Sequence, residues 1–431
     1  MKRISLKYLV LTVLSLCLAG IFVVSWIYHK NPLFVAKVVC RAVTLNAIAL
    51  GVKLYDPSPS VLKASVGPNH LENMERYGSS DGLSSLIRPL FPNQKINVIA
   101  FDNKPLTRSN YPFSYQLASY SGITRLQEKY NITGVVSAAD NDFVKSVFLM
   151  NWVKSRWRHG TTGEDKFDPV KFDADVILSF ARHGDMFWCH VYAMTFIQLA
   201  SSVGIQSRLI TLSHDGYSSE HAVAEAWSNQ QQKWFVVDPD FNIWYSRNRI
   251  PLNVLEIHDL LMANKTSQIQ INKGKYLLYP EFAKRIPSLY KFYRYFYVDM
   301  RNDWLSNQYF SGHPNRSDKA TLFWVDKRLP QVLNLQTKTS NSHDLYWDLN
   351  RTELAFESHT QGGQSVVVDF MTLTPNFSYY EVVVDTSITN RATSDKIIWQ
   401  LHPGKNSLKV QSVNTLGQKG IPAQIVVQIG M

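Results

Sequence analysis

Cysteine is scarce in this chain: its 431 residues include only Cys17, Cys40 and Cys189. Three thiols cannot build a disulfide framework, and none of them stands in a Cys/His cluster with the spacing of a zinc site. The sequence therefore excludes a small disulfide-rich scaffold, and it indicates no metal and no other cofactor.

Long basic runs are also missing, although 45 Lys and Arg against 34 Asp and Glu give a formal net charge of +11. No five consecutive residues are Lys or Arg, and no nucleic-acid-binding motif is present. An excess of basic charge can attract nucleic acid, an anionic membrane surface or an acidic polymer. Without a motif, a solvated basic surface is the preferred interpretation, and nucleic acid is not an expected partner.

The length and composition predict a folded protein of several domains. Hydrophobic residues make up 45% of the chain and charged residues 18%, as is usual for folded proteins. The chain is too long for one core, so we expect two or three domains. Changes in sequence pattern predict five segments: a cytoplasmic tip with a transmembrane anchor (1–30), a membrane-proximal region of uncertain structure (31–120), an α+β domain (121–250), a mostly helical extension (251–340) and a β-sandwich (341–431).

The N-terminus predicts a membrane anchor. Its first seven residues carry three basic side chains, and residues 8–28 contain no charged residue. Such a stretch is long enough, as a helix, to cross the hydrocarbon core of a bilayer. A cleaved signal peptide would have a shorter apolar stretch and a small-residue cleavage site, for which residues 17–19 are a weak candidate. We therefore expect an uncleaved anchor, with the chain after about residue 30 outside the cytoplasm.

Cys189 requires an explanation, because a free thiol is unusual in an exported domain. It lies near the start of an apolar stretch that predicts a helix over about 187–203. Gly204 is expected to end this helix, and Asp185 is expected to cap its N-terminus. A free cysteine has a pKa near ~8.5 and is mostly protonated at neutral pH. The partial positive charge of a helix start and a neighbouring imidazole both favour the thiolate. Cys189 is therefore a candidate nucleophile.

Two predicted strands supply partners for this thiol. We expect strands at about 206–212, 221–228 and 233–238, with residues 229–232 as the turn between the last two. His221 begins one strand and Asp238 ends the next, so a hairpin places them opposite one another or one pair apart. Side chains so placed lie within ~5–8 Å on one face of the sheet. His221 can then take the thiol proton while Asp238 fixes the tautomer of its ring.

Other polar residues near the predicted triad have simpler interpretations. Glu225 shares a strand face with His221, and it either orients the site or serves as a polar partner for other groups of the sheet. Arg208 is expected to make a structural ion pair. Tyr192 lies one helical turn from Cys189 and is expected to pack against the core.

The segment from about 136 to 243 resembles the core domain of the transglutaminase-like superfamily, a papain-related thiol fold. The motif C-x-x-Y-A-x-x-F-x-x-L-A-x-x-x-G-I-x-x-R runs from Cys189 to Arg208, and HAVAEAW begins at His221. The third motif, W-x-x-x-D-P, spans residues 234–239. The resemblance implies an α+β core with an antiparallel sheet and a Cys189, His221 and Asp238 triad.

The segment departs from the family pattern in two places. Val223 stands where the family often has an aromatic residue, and the approach GDMFWC replaces a compact Gly-x-Cys. The backbone N–H of Cys189 is one expected oxyanion donor, and the sequence identifies no second donor. Near the C-terminus, residues 401–421 resemble the last hairpin of immunoglobulin- or fibronectin-like modules.

The expected reaction is acyl transfer from an amide of a protein or peptide. Cys189 attacks the carbonyl, His221 protonates the leaving amine, and the thioester passes its acyl group to water or to an amine. Water would make the protein a peptidase or amidase, and an amine would make it a transamidase. Hydrolysis is preferred because water needs no dedicated acceptor site. An alternative of another class is a catalytically silent scaffold that binds a protein or an anionic cell-surface polymer.

Overall fold

The computed structural model of the protein describes residues 78–163, 173–276, 284–306, 321–332, 337–359, 363–385 and 387–430. Among these residues, no helix combines the length and the apolar character needed to span a bilayer. The predicted anchor at residues 8–28 lies outside the described residues, as do Cys17 and Cys40.

Local sequence explains where several helices begin. Asn141, Asp173 and Asn253 each accept a backbone N–H from the first turn of the helix that follows. The α-helices in the described parts of the chain are α1 (Ser80–Ile87), α2 (Ser121–Lys129), α3 (Ile132–Val136), α4 (Asp142–Lys154), α5 (Ala174–Arg182), α6 (Cys189–Ser202) and α7 (Val254–Met262).

Strands dominate the second half of the chain, and short 3-10 helices join some of them, the longest at Ile286–Arg294. The strands of the described residues are β1 (Ile96–Asp102), β2 (Ser207–Ser213), β3 (His221–Ser228), β4 (Lys233–Val237), β5 (Ile243–Arg247), β6 (Ile250–Pro251), β7 (Gln270–Lys273), β8 (Tyr295–Asp299), β9 (Thr321–Trp324), β10 (Thr337–Thr339), β11 (Thr352–Ser358), β12 (Ser365–Thr372), β13 (Phe377–Val384), β14 (Ser387–Ala392), β15 (Lys396–Gln400), β16 (Gly404–Asn414) and β17 (Ala423–Ile429).

The central sheet has the order β10-β9-β8-β2-β3-β4 and is antiparallel except between β9 and β10. Ser228 pairs with Lys233, which confirms the predicted turn at 229–232. Strand β3 alternates between two cores: its alanines face the core that contains α6, while Val223 and Trp227 belong to the core on the other side. The side-chain period of two in a strand accounts for this division. The sheet thus fixes the helix of Cys189 against the hairpin of His221.

The segment 251–340 differs from the mostly helical extension that the sequence predicts. Helix α7 is the only α-helix in its described parts, and β8 to β10 extend the central sheet. All five residues of β8 are buried, with Phe296 and Val298 in one core and Tyr295 and Tyr297 in another. Aromatic and β-branched side chains favour such a strand, buried on both faces, and burial here overrides the helical interpretation.

A third core lies between two further sheets, with strand orders β1-β17-β16-β13-β14 and β11-β12-β15. Residues of both sheets belong to this core, so the two sheets pack against each other. Strand β1 comes from the predicted membrane-proximal region, and its Ile96 pairs with Ile429 of β17. Part of segment 31–120 therefore completes the C-terminal sheet. The likeness to immunoglobulin or fibronectin modules stays a prediction.

Candidate active site

The His221 side chain is held by Asp238 at the rim of the central sheet. Its Nε2 lies 2.7 Å from Oδ2 of Asp238. The other oxygen of Asp238 accepts the backbone N–H groups of Asp240 and Phe241 at 3.1 and 3.0 Å. Both residues are buried, with 5% of His221 and none of Asp238 exposed. The carboxylate is thus fully engaged, and it fixes the orientation of the imidazole.

Cys189 faces the other side of the same ring. The sulfur of Cys189 and a ring nitrogen of His221 lie within 4.8 Å of one another. Because Asp238 engages Nε2, Nδ1 is the ring nitrogen left for the thiol. Cys189 is the first residue of α6, it is a free thiol, and it is partly exposed. The structure therefore brings the three predicted residues together: an accessible thiol, a buried imidazole and a buried carboxylate.

The start of α6 differs from the prediction in its cap. Trp188, and not Asp185, occupies the N-cap position, and its side chain makes no capping hydrogen bond. The first turn contains no acidic residue. The partial positive charge of the helix start is therefore left for the thiolate, with no capping carboxylate to oppose it.

A second carboxylate, that of Asp240, borders the thiol. Donor atoms of Cys189, His221 and Asp240 all lie within 4.8 Å of one another. Asp240 lies in the turn at 239–242 that follows β4: Asp238 pairs with Ile243 across this turn, and its Oδ1 accepts the backbone N–H of Asp240. Asp240 was not among the predicted site residues, although it stands only two residues after Asp238.

Asp240 is itself held by two basic side chains. Nδ1 of His159 lies 2.8 and 3.0 Å from its two carboxylate oxygens. Nζ of Lys154 lies 3.7 Å from one of those oxygens and donates to the backbone carbonyl of Asp240. Burial lowers the pKa of Lys154, and the neighbouring Asp240 and Asp238 oppose that shift. The ammonium group of Lys154 offsets part of the negative charge of Asp240, which would otherwise oppose a thiolate at Cys189.

Aromatic rings enclose the imidazole. Phe241 meets the His221 ring edge to face, with centroids 5.1 Å apart, and Phe292 lies 6.4 Å away. Phe292 comes from the segment 251–340, outside the predicted α+β domain. Neither ring is part of a motif. Phe241 follows the D-P motif by two residues, whereas Phe292 contacts the histidine from a segment that is distant in the sequence.

The remaining predicted neighbours have structural roles. Arg208 makes a fully buried ion pair with Glu225, at 2.7 Å, as expected. The second oxygen of Glu225 accepts the backbone N–H of Val254 and the hydroxyl of Tyr346. Glu225 thus serves as an ion-pair and hydrogen-bond partner within the core, and it does not orient the site. Tyr192 packs as predicted, and its hydroxyl donates to the carbonyl of Trp157 at 2.6 Å.

The pKa of His221 is raised well above its ordinary value of 6.5. Burial is the largest single influence and disfavours the charged ring, but the charge and hydrogen bond of Asp238, together with Cys189, outweigh it. A raised pKa favours the imidazolium, which is the form that stabilises a neighbouring thiolate.

This shift predicts how His221 contributes to stability as the pH changes. The folded pKa lies above the unfolded value, so the contribution is fully present below about pH 6.5 and is lost as the pH rises through the folded pKa. In urea unfolding, the free-energy difference between wild type and His221→Gln should therefore be larger in mildly acidic than in alkaline buffer. A difference that grows with pH would contradict the assignment.

A family model agrees with this geometry. The model of the transglutaminase-like superfamily matches residues 131–239, about a quarter of the chain, and confirms the resemblance inferred from the motifs. The matched span contains Cys189, His221 and Asp238 and ends next to Asp240. No curated protein matches the chain significantly.

Proposed function

Because residues 131–239 form a transglutaminase-like superfamily domain, we propose that the protein is a cysteine-dependent enzyme that transfers the acyl group of an amide through a thioester. The observation that carries this proposal is the proximity of Cys189 and His221: their donor atoms lie within 4.8 Å of one another, and Nε2 of His221 lies 2.7 Å from Asp238. A fold alone does not establish an activity, whereas this geometry supplies a nucleophile, a base and an orienting carboxylate.

The first half of the proposed reaction forms the acyl-enzyme. The Cys189 thiolate attacks the amide carbonyl, and the backbone N–H of Cys189 at the start of α6 donates to the resulting oxyanion. His221 then transfers its Nδ1 proton to the leaving amine, which needs protonation because an amide anion is a very poor leaving group. The raised pKa of His221 keeps the ring protonated for this step.

The second half of the reaction returns the enzyme to its starting state. Neutral His221 accepts a proton from water or an amine, which attacks the thioester and releases Cys189. We propose hydrolysis, of a protein or peptide amide, as the main outcome because water needs no dedicated binding site. Transfer to a primary amine is the other outcome of the same chemistry, and mass spectrometry of the acyl product distinguishes them.

The experiment that tests the proposal is selective labelling of Cys189. The full-length chain is treated with an epoxide probe at neutral pH, and the modified peptide is quantified by mass spectrometry. Cys189 should react faster than N-acetylcysteine, because His221 and the helix start favour its thiolate. His221→Ala should remove this advantage. The partial exposure of Cys189 gives the probe access in both proteins.

Equal labelling of wild type and His221→Ala would contradict an activated thiol. That result would instead favour a silent transglutaminase-like scaffold, whose cleft binds a protein or an anionic polymer. The net charge of +11 suits an anionic partner.

We also propose that residues 8–28 anchor the protein in a membrane, with the catalytic domain outside the cytoplasm. The support is the uncharged stretch and the basic residues that precede it. Fractionation tests this directly: the chain should stay with membranes in alkaline carbonate. Recovery in the soluble fraction would contradict the anchor.

A further inference from the structure

The side chains around the thiol include the donor types that zinc prefers. These are the sulfur of Cys189, a ring nitrogen of His221 and a carboxylate oxygen of Asp240, all within 4.8 Å of one another. Zinc bonds of ~2.0–2.3 Å in tetrahedral geometry place two donors ~3.3–3.7 Å apart. Small side-chain rotations would therefore bring the three donors to coordinating distance.

The histidine of this set is already oriented as a metal ligand requires. Its Nε2 is engaged by Asp238, which leaves Nδ1 as the ring nitrogen available to a metal. A metal-bound histidine commonly donates its other N–H to a carboxylate, which fixes the tautomer and increases the basicity of the ligating nitrogen. Asp238 occupies that supporting position.

The carboxylate of the set is also supported. Asp240 is 1% exposed, and His159 and Lys154 hold it through the contacts described above. Each carboxylate oxygen has two lone pairs, so an oxygen that accepts from His159 retains capacity for a metal. Three ligands of this kind leave a fourth tetrahedral position open on the exposed side of Cys189.

We propose that Cys189, His221 and Asp240 form a Zn²⁺ site, and that the bound ion reversibly inactivates the nucleophile. Zinc takes the thiolate and the Nδ1 lone pair together, so neither attack nor proton transfer can proceed while it is bound. Binding of zinc releases one proton. The proton comes from the thiol if the pair is a thiol and a neutral imidazole, and from the imidazolium if the pair is a thiolate and an imidazolium. Inhibition should therefore weaken as the pH falls.

A second cluster in the fold shows why proximity alone is insufficient. His258, Asp259 and Asp326 also lie within 4.8 Å of one another. However, His258 uses one ring nitrogen on the carbonyl of Tyr293 and the other on Asp326, and Arg328 pairs with both carboxylates. No ring nitrogen remains for a metal, so this cluster serves as an internal control.

The test is calorimetric titration of the full-length chain with ZnCl₂, with Co²⁺ as a spectroscopic probe. Wild type should bind one zinc tightly, and Co²⁺ should produce a thiolate charge-transfer band. Cys189→Ser should remove the band and weaken zinc binding at least ~100-fold. Asp240→Asn should weaken zinc binding ~10- to 100-fold, which is the usual effect of losing a residue that supports a metal ligand and so a minimum for losing a ligand itself. The matched variant Asp259→Asn should bind zinc as wild type does.

Unchanged zinc affinity in Cys189→Ser would overturn the site, even if Asp240→Asn misfolds, because Cys189 is partly exposed and serine has nearly its size. Equal losses in Asp240→Asn and Asp259→Asn would also overturn it. The titration uses no substrate, so its failure is distinguishable from failure of the proposed function: a protein can label at Cys189 without binding zinc, or bind zinc without turning over an amide.

Discussion

Replacement of Asp238 by asparagine is expected to slow turnover of p-nitrophenyl acetate by about 10³- to 10⁴-fold, a loss comparable to that in a Ser-His-Asp triad whose carboxylate becomes an amide. The side-chain oxygen would keep accepting the backbone N–H groups of Asp240 and Phe241. The amide NH₂ would then meet Nε2 of His221. Nε2 could then only accept a hydrogen bond, so the ring proton would move to Nδ1. A protonated Nδ1 cannot take the proton of the Cys189 thiol.

The measurement is the steady-state release of p-nitrophenolate, with circular dichroism to check the fold. Asp299→Asn is the matched control. Asp299 is also a buried aspartate of the central sheet, where burial raises the pKa of its carboxyl group well above 3.8. This control should keep the wild-type rate. A rate for Asp238→Asn equal to that of the control would mean that Asp238 does not set the tautomer of His221.

Replacement of Arg208 by methionine is expected to lower the free energy of unfolding by about 3–5 kcal/mol, the usual cost of removing one partner of a buried ion pair. Neither side chain of the Arg208–Glu225 pair is exposed. The guanidinium also stacks 4.2 Å from the ring of Trp234 and donates to the carbonyl of Leu345. Loss of Arg208 therefore leaves a buried charge on Glu225 and an unpaired carbonyl.

Urea unfolding measures this loss, and Lys129→Met provides the comparison. Lys129 and Asp175 also form a short ion pair, 2.6 Å long, but 42% of the lysine side chain is exposed. A pair of that kind contributes only ~0–1 kcal/mol. The double variant Arg208→Met/Glu225→Gln should recover part of the loss, because it removes the isolated charge. Equal costs for Arg208→Met and Lys129→Met would contradict a structural role for the buried pair.

The sequence was sufficient for the parts of the site that depend on local pattern. An apolar helix that begins at Cys189, a strand that begins at His221 and a four-residue turn before the next strand place the thiol, the imidazole and Asp238. Each of these placements follows from side-chain periodicity and from hydrogen bonding between segments that are neighbours in the sequence. They can therefore be inferred without the tertiary structure. The buried Arg208 was predictable for a similar reason, since Glu225 lies in the adjacent strand.

Other features depended on contacts between distant segments. Strand β1 belongs with β17 at the other end of the chain, and the aromatic residues at 290–297 become a 3-10 helix and a central strand. His159 reaches Asp240 from the loop after α4. Periodicity does not specify which distant surfaces meet, because that choice depends on the shape and burial of whole cores.

The sequence by itself thus determined the thiol, its imidazole and the carboxylate that orients the ring, because these follow from a helix start and one hairpin. Only the tertiary structure decided that a second carboxylate, that of Asp240, also borders the thiol, and that the side chains of His159 and Lys154 contact it. The physical reason is that the effect of a carboxylate on a nearby thiolate depends on the charged and hydrogen-bonding groups that surround the carboxylate. Those surroundings come from segments far apart in the chain.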